Sequence, residues 1–150
     1  MQTSEPPYAI PQAVDADLAR VLAYWKGLIR GDNEIPFWDD VNLSALPDLL
    51  PRLMLLEAFE RPTRFRFALV GPDIRARYGD DLNGKFVDEI EIRDPLPYLA
   101  SQSSATLECR GPTFYRGVGA RGAAREYSRL LLPMWGDGRV GMLLVAFAWR

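Results

Sequence analysis

The sequence contains no histidine and a single cysteine, Cys109, and its only lysines are Lys26 and Lys85. Without histidine there is no Ser-His-Asp or Cys-His catalysis, no His-ligated zinc and no haem held by a proximal histidine. Acid and base chemistry would fall to Asp, Glu, the two lysines or a tyrosine. One cysteine excludes an internal disulfide and every multi-cysteine metal motif, so nothing points to an oxidising compartment. Long apolar runs are missing too. The longest, residues 140–149, is about half of the roughly 20 residues that a membrane-spanning helix needs. Residues 1–14 are acidic and proline-containing, without the basic start and apolar centre of a signal peptide. A formal charge of -2 and a pI near 5.2 give no general attraction to nucleic acid or to an anionic membrane. The expectation is a soluble, cytoplasmic protein.

What is present suits one folded unit. The chain has 150 residues, 48% of them hydrophobic, enough for one core and too few for two ordinary domains. Residues 1–14, with Pro6, Pro7 and Pro11, read as a flexible lead-in. Residues 15–51 read as a helix and a linker, and residues 52–150 as the core. In the helix, Asp15 offers an N-cap, Gly31 is the stop, and Leu18, Val21, Leu22, Trp25, Leu28 and Ile29 recur three and four apart. That stripe either packs on the chain's own core or, through Leu18, Val21, Leu22, Trp25 and Ile29, makes a homodimer contact. Prolines at 36, 47 and 51 and caps at Asn42 and Ser44 suggest a loop with a short helix over residues 46–50.

The stretch 65–84 changes hydrophobic period midway. Phe65, Phe67 and Leu69 alternate as in a strand and Gly71 ends it. Pro72 suits the first position of a helix, with Asp73 at the positive end of its dipole. Ile74 and Tyr78 share one face, and Gly79 closes the helix. Residues 53–60 form a preceding strand, joined through Arg61-Pro62-Thr63-Arg64 as a hairpin. Phe86, Val87 and Ile90 suggest a further helical turn. Asp94 and Pro95 read as a cap and first-position proline opening a helix through Leu96, Leu99, Ala100 and Leu107, ended by Gly111. Strands follow at 113–115, 126–134 and 140–149, the last two joined by Gly136-Asp137-Gly138. Leu130, Leu132 and Met134 on one side and Leu131, Pro133 and Trp135 on the other make both faces apolar, so each needs cover. The central helices suit one face and the N-terminal helix the other.

Three groups could carry chemistry. Gly117, Gly119 and Gly122 match the pattern that sets a helix N-terminus against a pyrophosphate, but the alternation after them favours a hairpin connection. Arg110, Arg116, Arg121, Arg125 and Arg129, with Tyr115 and Tyr127 among them, could meet single-stranded nucleic acid or form a solvated hairpin; the hairpin is preferred. Asp80, Asp81, Asp88, Glu89, Glu91 and Asp94 lack calcium-loop spacing and read as a solvated acidic face. The two charged poles could meet across a dimer. For a ligand, Phe67, Leu69, Ile74, Tyr78, Phe86, Ile90, Tyr98 and Leu99 could line an apolar cavity oriented by the tyrosine hydroxyls, or simply pack the core.

The order of elements, with FALVGPDIRARYGDDLNGKFVDEI in the middle and EYSRLLLPMWGDGRVGMLLVAF at the end, resembles the PAS sensor domain. It is most similar to bacterial PAS-like proteins that begin with a helix carrying a Tyr-Trp pair, here Tyr24-Trp25. The matching landmarks are Leu69-Val70-Gly71, Tyr78-Gly79, Leu82-Asn83-Gly84 and Leu131-Leu132-Pro133, within residues 15–147. Ala68 stands where that group has an arginine, so no role of that arginine is carried over. The resemblance implies an α+β fold: a five-stranded antiparallel sheet with short helices on one face and a small pocket that senses a ligand, cofactor or partner. Haem is disfavoured by the missing histidine. A cysteine-adduct flavin is disfavoured because Glu108-Cys109-Arg110 does not match the reactive context; no tightly bound cofactor or metal is expected, and non-covalent flavin stays open. The reading is a non-catalytic sensory or regulatory domain in signal transduction, binding a small apolar ligand or a signalling partner, as a homodimer, with no nucleic acid and no membrane. With the last strand reaching residue 149, no output domain is expected to follow. The alternatives are a small enzyme using a carboxylate and a tyrosine in an apolar pocket, and a purely structural dimerisation domain.

Overall fold

The computed structural model describes residues 8–119 and 122–149, leaving aside the side chains of residues 118, 119 and 122–125. It is a mixed α+β fold with three helices and an open five-stranded sheet. In chain order these are α1 (Ala16–Gly27), β1 (Leu53–Phe59), β2 (Arg64–Val70), α2 (Pro72–Tyr78), α3 (Leu99–Cys109), β3 (Thr113–Gly119), β4 (Gly122–Gly136) and β5 (Arg139–Trp149). The strand order is β2-β1-β5-β4-β3. Every neighbouring pair is antiparallel. No helix among the described residues is long and apolar enough to cross a membrane.

The local signals explain the joints. β1 and β2 pair as a hairpin through the turn at 60–63, with a register shift at Leu55/Leu56. α2 starts on Pro72 and stops at Gly79, whose φ of 96° is the left-handed conformation that closes a helix. β4 and β5 turn through Asp137 and Gly138, at φ 55° and 75°, between the paired residues Gly136 and Arg139. Two positive-φ residues match the twist of the flanking strands.

Strand alternation divides the sheet into two apolar faces. On one, Leu56, Phe67, Leu131, Leu143, Val145 and Phe147 are buried. This face carries α3, whose Gln102 reaches Thr113 on β3 and the Arg129 carbonyl on β4. On the other, Leu130, Leu132, Leu144 and Ala146 are equally buried. α1 lies against β4 and β5, burying Leu18, Val21 and Trp25, and the Trp25 indole N–H donates to the Pro133 carbonyl at 2.9 Å. Both outer edges of the sheet meet other backbone: Phe67 N–H on β2 donates to Lys85 O, and Phe114 N–H on β3 donates to Tyr8 O. Such cover keeps an edge from pairing with a second chain.

Several boundaries differ from the sequence reading. The first helix ends at Gly27, so Leu28 and Ile29 leave its regular face. Residues 46–50 form no helix; single 3-10 turns stand at Leu43–Ala45 and Leu50–Arg52, the first capped by Asn42 Oδ1 accepting from Ser44 N–H. The third helix opens at Leu99 rather than after Asp94. The reason is tertiary: the Pro95 and Pro97 carbonyls accept hydrogen bonds from Arg129, more than thirty residues away in sequence. Its buried residues are Leu99, Gln102, Ser103 and Thr106, so a largely polar stripe faces inward. β3 and β4 are longer than the alternation suggests, β3 running to Gly119 and β4 from Gly122 to Gly136, while β5 matches its expected span to within one residue. Gly119 pairs with Gly122 as β4 begins, and no helix follows the glycine pattern. Ala120 and Arg121 of that motif lie outside the described residues, as does the side chain of Arg125.

Candidate functional site

β4 lies between β5 and β3, and its residues Tyr127, Arg129, Leu131 and Pro133 point toward α3. Arg129 is therefore enclosed by sheet neighbours on both sides, opposite Tyr115 on β3 and Phe147 on β5, and is 0% exposed. Its Nε donates to Gln102 Oε1 at 2.8 Å, and its two terminal nitrogens donate to Pro95 O and Pro97 O, each at 3.0 Å. The guanidinium lies 4.7 Å from the centre of the Tyr115 ring. A guanidinium carries five N–H groups; three donate here, which leaves two.

None of these partners carries a charge. Among the described residues no carboxylate lies within ion-pair distance of Arg129. The interior acid of this region, Asp94, is held by Arg77 at 2.9 Å, the two side chains being 13% and 10% exposed. Burial pushes the Arg129 guanidinium down to about 10, against the opposing pull of Tyr127, Tyr115 and Tyr8. It still carries its proton at neutral pH. A buried cation without a counter-ion is costly, because desolvation is offset only by neutral acceptors.

Tyr127, two residues away on the same face, is also 0% exposed, and its hydroxyl has no hydrogen-bond partner among the described residues. Burial, the largest cause, pushes that phenol up to about 12. Its ring is set among Tyr115, Phe147 and Trp149, with centroids 6.1, 6.1 and 6.5 Å away. It fits only because residue 117 has no side chain: a Cβ there would stand 2.3 Å from Tyr127 Cζ. The Ser103 hydroxyl on α3 is likewise buried without a partner among the described residues. Beside it, Gln102 Nε2 donates to Thr113 Oγ1 at 3.1 Å, and the Thr106 and Thr113 hydroxyls meet at 2.7 Å. Tyr98 is exposed and Tyr8 and Tyr115 are half-buried, with Tyr115 6.2 Å from Tyr8 and 5.8 Å from Tyr98. Tyr8 is fixed by its hydroxyl, which donates to Ser101 Oγ at 2.7 Å.

This arrangement suits binding. An arginine that stays protonated is no general base, but its planar fork matches an anion with two oxygens. The region is a polar, aromatic-walled part of the interior, in which the Arg77 guanidinium of the Arg77–Asp94 pair also lies 5.2 Å from the centre of the Tyr127 ring.

The residues expected to line a pocket are divided. Phe67, Ile74, Tyr78 and Leu99 are buried in the core, and Phe86 and Ile90 are partly buried. The Tyr78 hydroxyl donates to the Glu91 backbone carbonyl at 2.6 Å. Leu69 is 36% and Tyr98 63% exposed. Leu69 instead joins Trp38, Leu55, Glu57 and Met142 around an open groove of about 440 Å³ on the α1 side of the sheet. Of the residues expected at a homodimer contact, Leu18, Val21 and Trp25 are buried in the chain's own core, with Leu22 and Ile29 packed at its margin. Sequence reasoning placed Arg129 and Tyr127 in a solvated hairpin and missed Gln102. The signal was there: Arg129 occupies an inward position of a strand that is apolar on both faces.

No family model matches the chain, and no curated protein matches it in sequence.

Proposed function

We propose that this chain is a sensory or regulatory domain of the PAS kind that acts by binding rather than by catalysis. Its antiparallel five-stranded sheet, with α3 over one face and α1 over the other, supports this reading. Two of the landmarks fall at structural joints, Leu69-Val70-Gly71 ending β2 and Tyr78-Gly79 closing α2, and Leu131-Leu132-Pro133 lies within β4. The observation that carries the reading is the interior guanidinium of Arg129, whose hydrogen-bond partners among the described residues are all neutral. A fold tolerates such a charge at a cost, and an interior anionic ligand would offset it.

The enzyme reading called for a carboxylate within reach of Tyr78 or Tyr98. Tyr78 donates to a backbone carbonyl, and among the described residues neither hydroxyl meets a carboxylate. For a protein partner, the groove below Trp38, which is 49% exposed, offers apolar surface beside Arg139 and Glu57.

Native mass spectrometry of gently purified protein tests this reading. A retained small molecule, or a defined complex with a second protein chain, is expected. A ligand-free species that acquires neither ligand nor partner would overturn it.

A further inference from the structure

We propose that Asn83 is a site of self-modification, deamidated by the backbone nitrogen of Gly84, and that the cover over the outer edge of β2 gates the reaction. This goes beyond the sensory reading and does not rest on it. A deamidating asparagine is attacked by the nitrogen of the residue that follows it, and a side chain on that residue hinders the approach. Asparagine occurs at 33, 42 and 83. Asn33 precedes Glu34 and Asn42 precedes Leu43, whereas Asn83 precedes a glycine, which has no side chain to obstruct the attack. Both Asn83 and Gly84 are exposed, so water reaches the pair.

The fold ties up the attacking nitrogen. Leu82, 1% exposed, anchors the segment, and Lys85 N–H donates to Leu82 O at 3.0 Å. That bond closes a turn whose third residue, Gly84, has φ 81°, as a type II turn requires. Gly84 N–H then donates to Phe67 O at 2.8 Å, and Phe67 N–H donates back to Lys85 O at 2.9 Å. These two bonds cover the β2 edge. The nitrogen attacks only after giving its proton to a base in solvent. While Phe67 O holds that proton, attack waits for the edge to open locally. In the open state Gly84 N bonds to Asn83 Cγ, the bond from Cγ to the amide nitrogen breaks, and ammonia leaves with the proton. Water then opens the five-membered imide at either carbonyl, giving aspartate or isoaspartate. Isoaspartate routes the main chain through the former side chain, one carbon longer. In that form Gly84 N–H and Lys85 O no longer both match Phe67, and the β2 edge is left open to pairing with another chain.

The test incubates the whole chain in mildly alkaline buffer, folded and in urea, and follows each asparagine by peptide mass spectrometry. In urea Asn83 is expected to convert well ahead of Asn33 and Asn42. In the folded protein it is expected to convert at least about tenfold more slowly than in urea, the factor set by opening one edge hydrogen bond together with its anchor. Hydrogen exchange at the Gly84 amide is expected to be slowed to match. Leu82→Ala loosens the anchor and is expected to raise deamidation and Gly84 exchange together; if it fails to fold, the comparison of folded and unfolded parent decides. Protein carrying isoaspartate at position 83 is expected to exchange its Phe67 amide faster than the parent, and Asn83→Asp, with ordinary main-chain spacing, to keep the parent rate. Equal Asn83 rates in folded and unfolded protein would overturn the proposal. So would Asn33 or Asn42 converting as fast as Asn83 in urea, or an isoaspartate form whose Phe67 amide stays as protected as the parent's.

Discussion

Gly117 and Tyr127 face each other across β3 and β4, with the tyrosine ring occupying the space a side chain at 117 would need. This close fit sets the position of the Tyr127 ring. Gly117→Ala should therefore cost about 2 kcal/mol or more, since overpacking a core forces displaced side chains. Adding Tyr127→Leu should recover part of the loss, and a double-mutant cycle from denaturant unfolding measures the coupling. Additive losses would show that the ring and the glycine do not constrain each other.

Arg129→Met should destabilise the fold by roughly 3 kcal/mol or more. It leaves Gln102 Oε1 and two proline carbonyls as buried acceptors without donors, each costing about 1–3 kcal/mol. The relief of removing a buried cation opposes this, so the net loss is smaller than the sum. Arg129→Lys should be intermediate, because an ammonium cannot reproduce the three-way fork. Urea unfolding of the three proteins gives the order.

The pH dependence has a definite sign. The Tyr127 phenol titrates near 12 in the fold and near its usual value of about 10 in the unfolded chain. The stability this difference contributes is fully present below pH 10 and is lost as pH rises from 10 to 12. Arg129 works the other way. Its folded value of about 10 lies below the usual arginine range, so its burial cost is relieved as pH rises through 10. Tyr127→Phe removes only the falling contribution, so its stability relative to the parent should grow from pH 9 to pH 11. Denaturant midpoints across that range measure the divergence, and parallel curves would contradict it.

Trp25→Phe should cost about 1–3 kcal/mol, chiefly by leaving the buried Pro133 carbonyl without the indole donor. A loss confined to α1, read from amide hydrogen exchange, would show that the helix detaches on its own. A loss spread over β4 and β5 would show that α1 and the sheet form one cooperative unit.

Much of the sheet was legible because its signals are local. Phe65 and Phe67 followed by Gly71-Pro72 announce a strand giving way to a helix, and Asp137-Gly138 announces a tight hairpin. The α3 boundary was not, because the local cap signal at Asp94-Pro95 competes with a distant demand: Arg129 draws the Pro95 and Pro97 carbonyls inward and delays the helix to Leu99. The inward face of α3 follows from the same cause. Gln102 and Thr106 are ordinary surface residues by composition, and only the polar groups beneath them on β3 and β4 make them core residues. Leu69 shows the converse. It continues the alternation of β2, yet the register shift at Leu55/Leu56 lies opposite it, and it ends in the open groove beside Trp38.

The interior site escaped a sequence reading because charge was counted along the chain. Arg129 stood among other arginines and two tyrosines, a pattern suited to a solvated hairpin. Its position relative to Leu131 and Pro133 gave the contrary signal: two and four residues before inward-facing apolar side chains, it had to point inward as well.

The most direct measurement follows the Arg129 Nε–H resonance by NMR in protein as purified and in the same protein unfolded, dialysed and refolded without small molecules. If Arg129 receives a ligand inside the fold, the resonance differs between the two samples. A resonance at the same position in both samples would contradict the account.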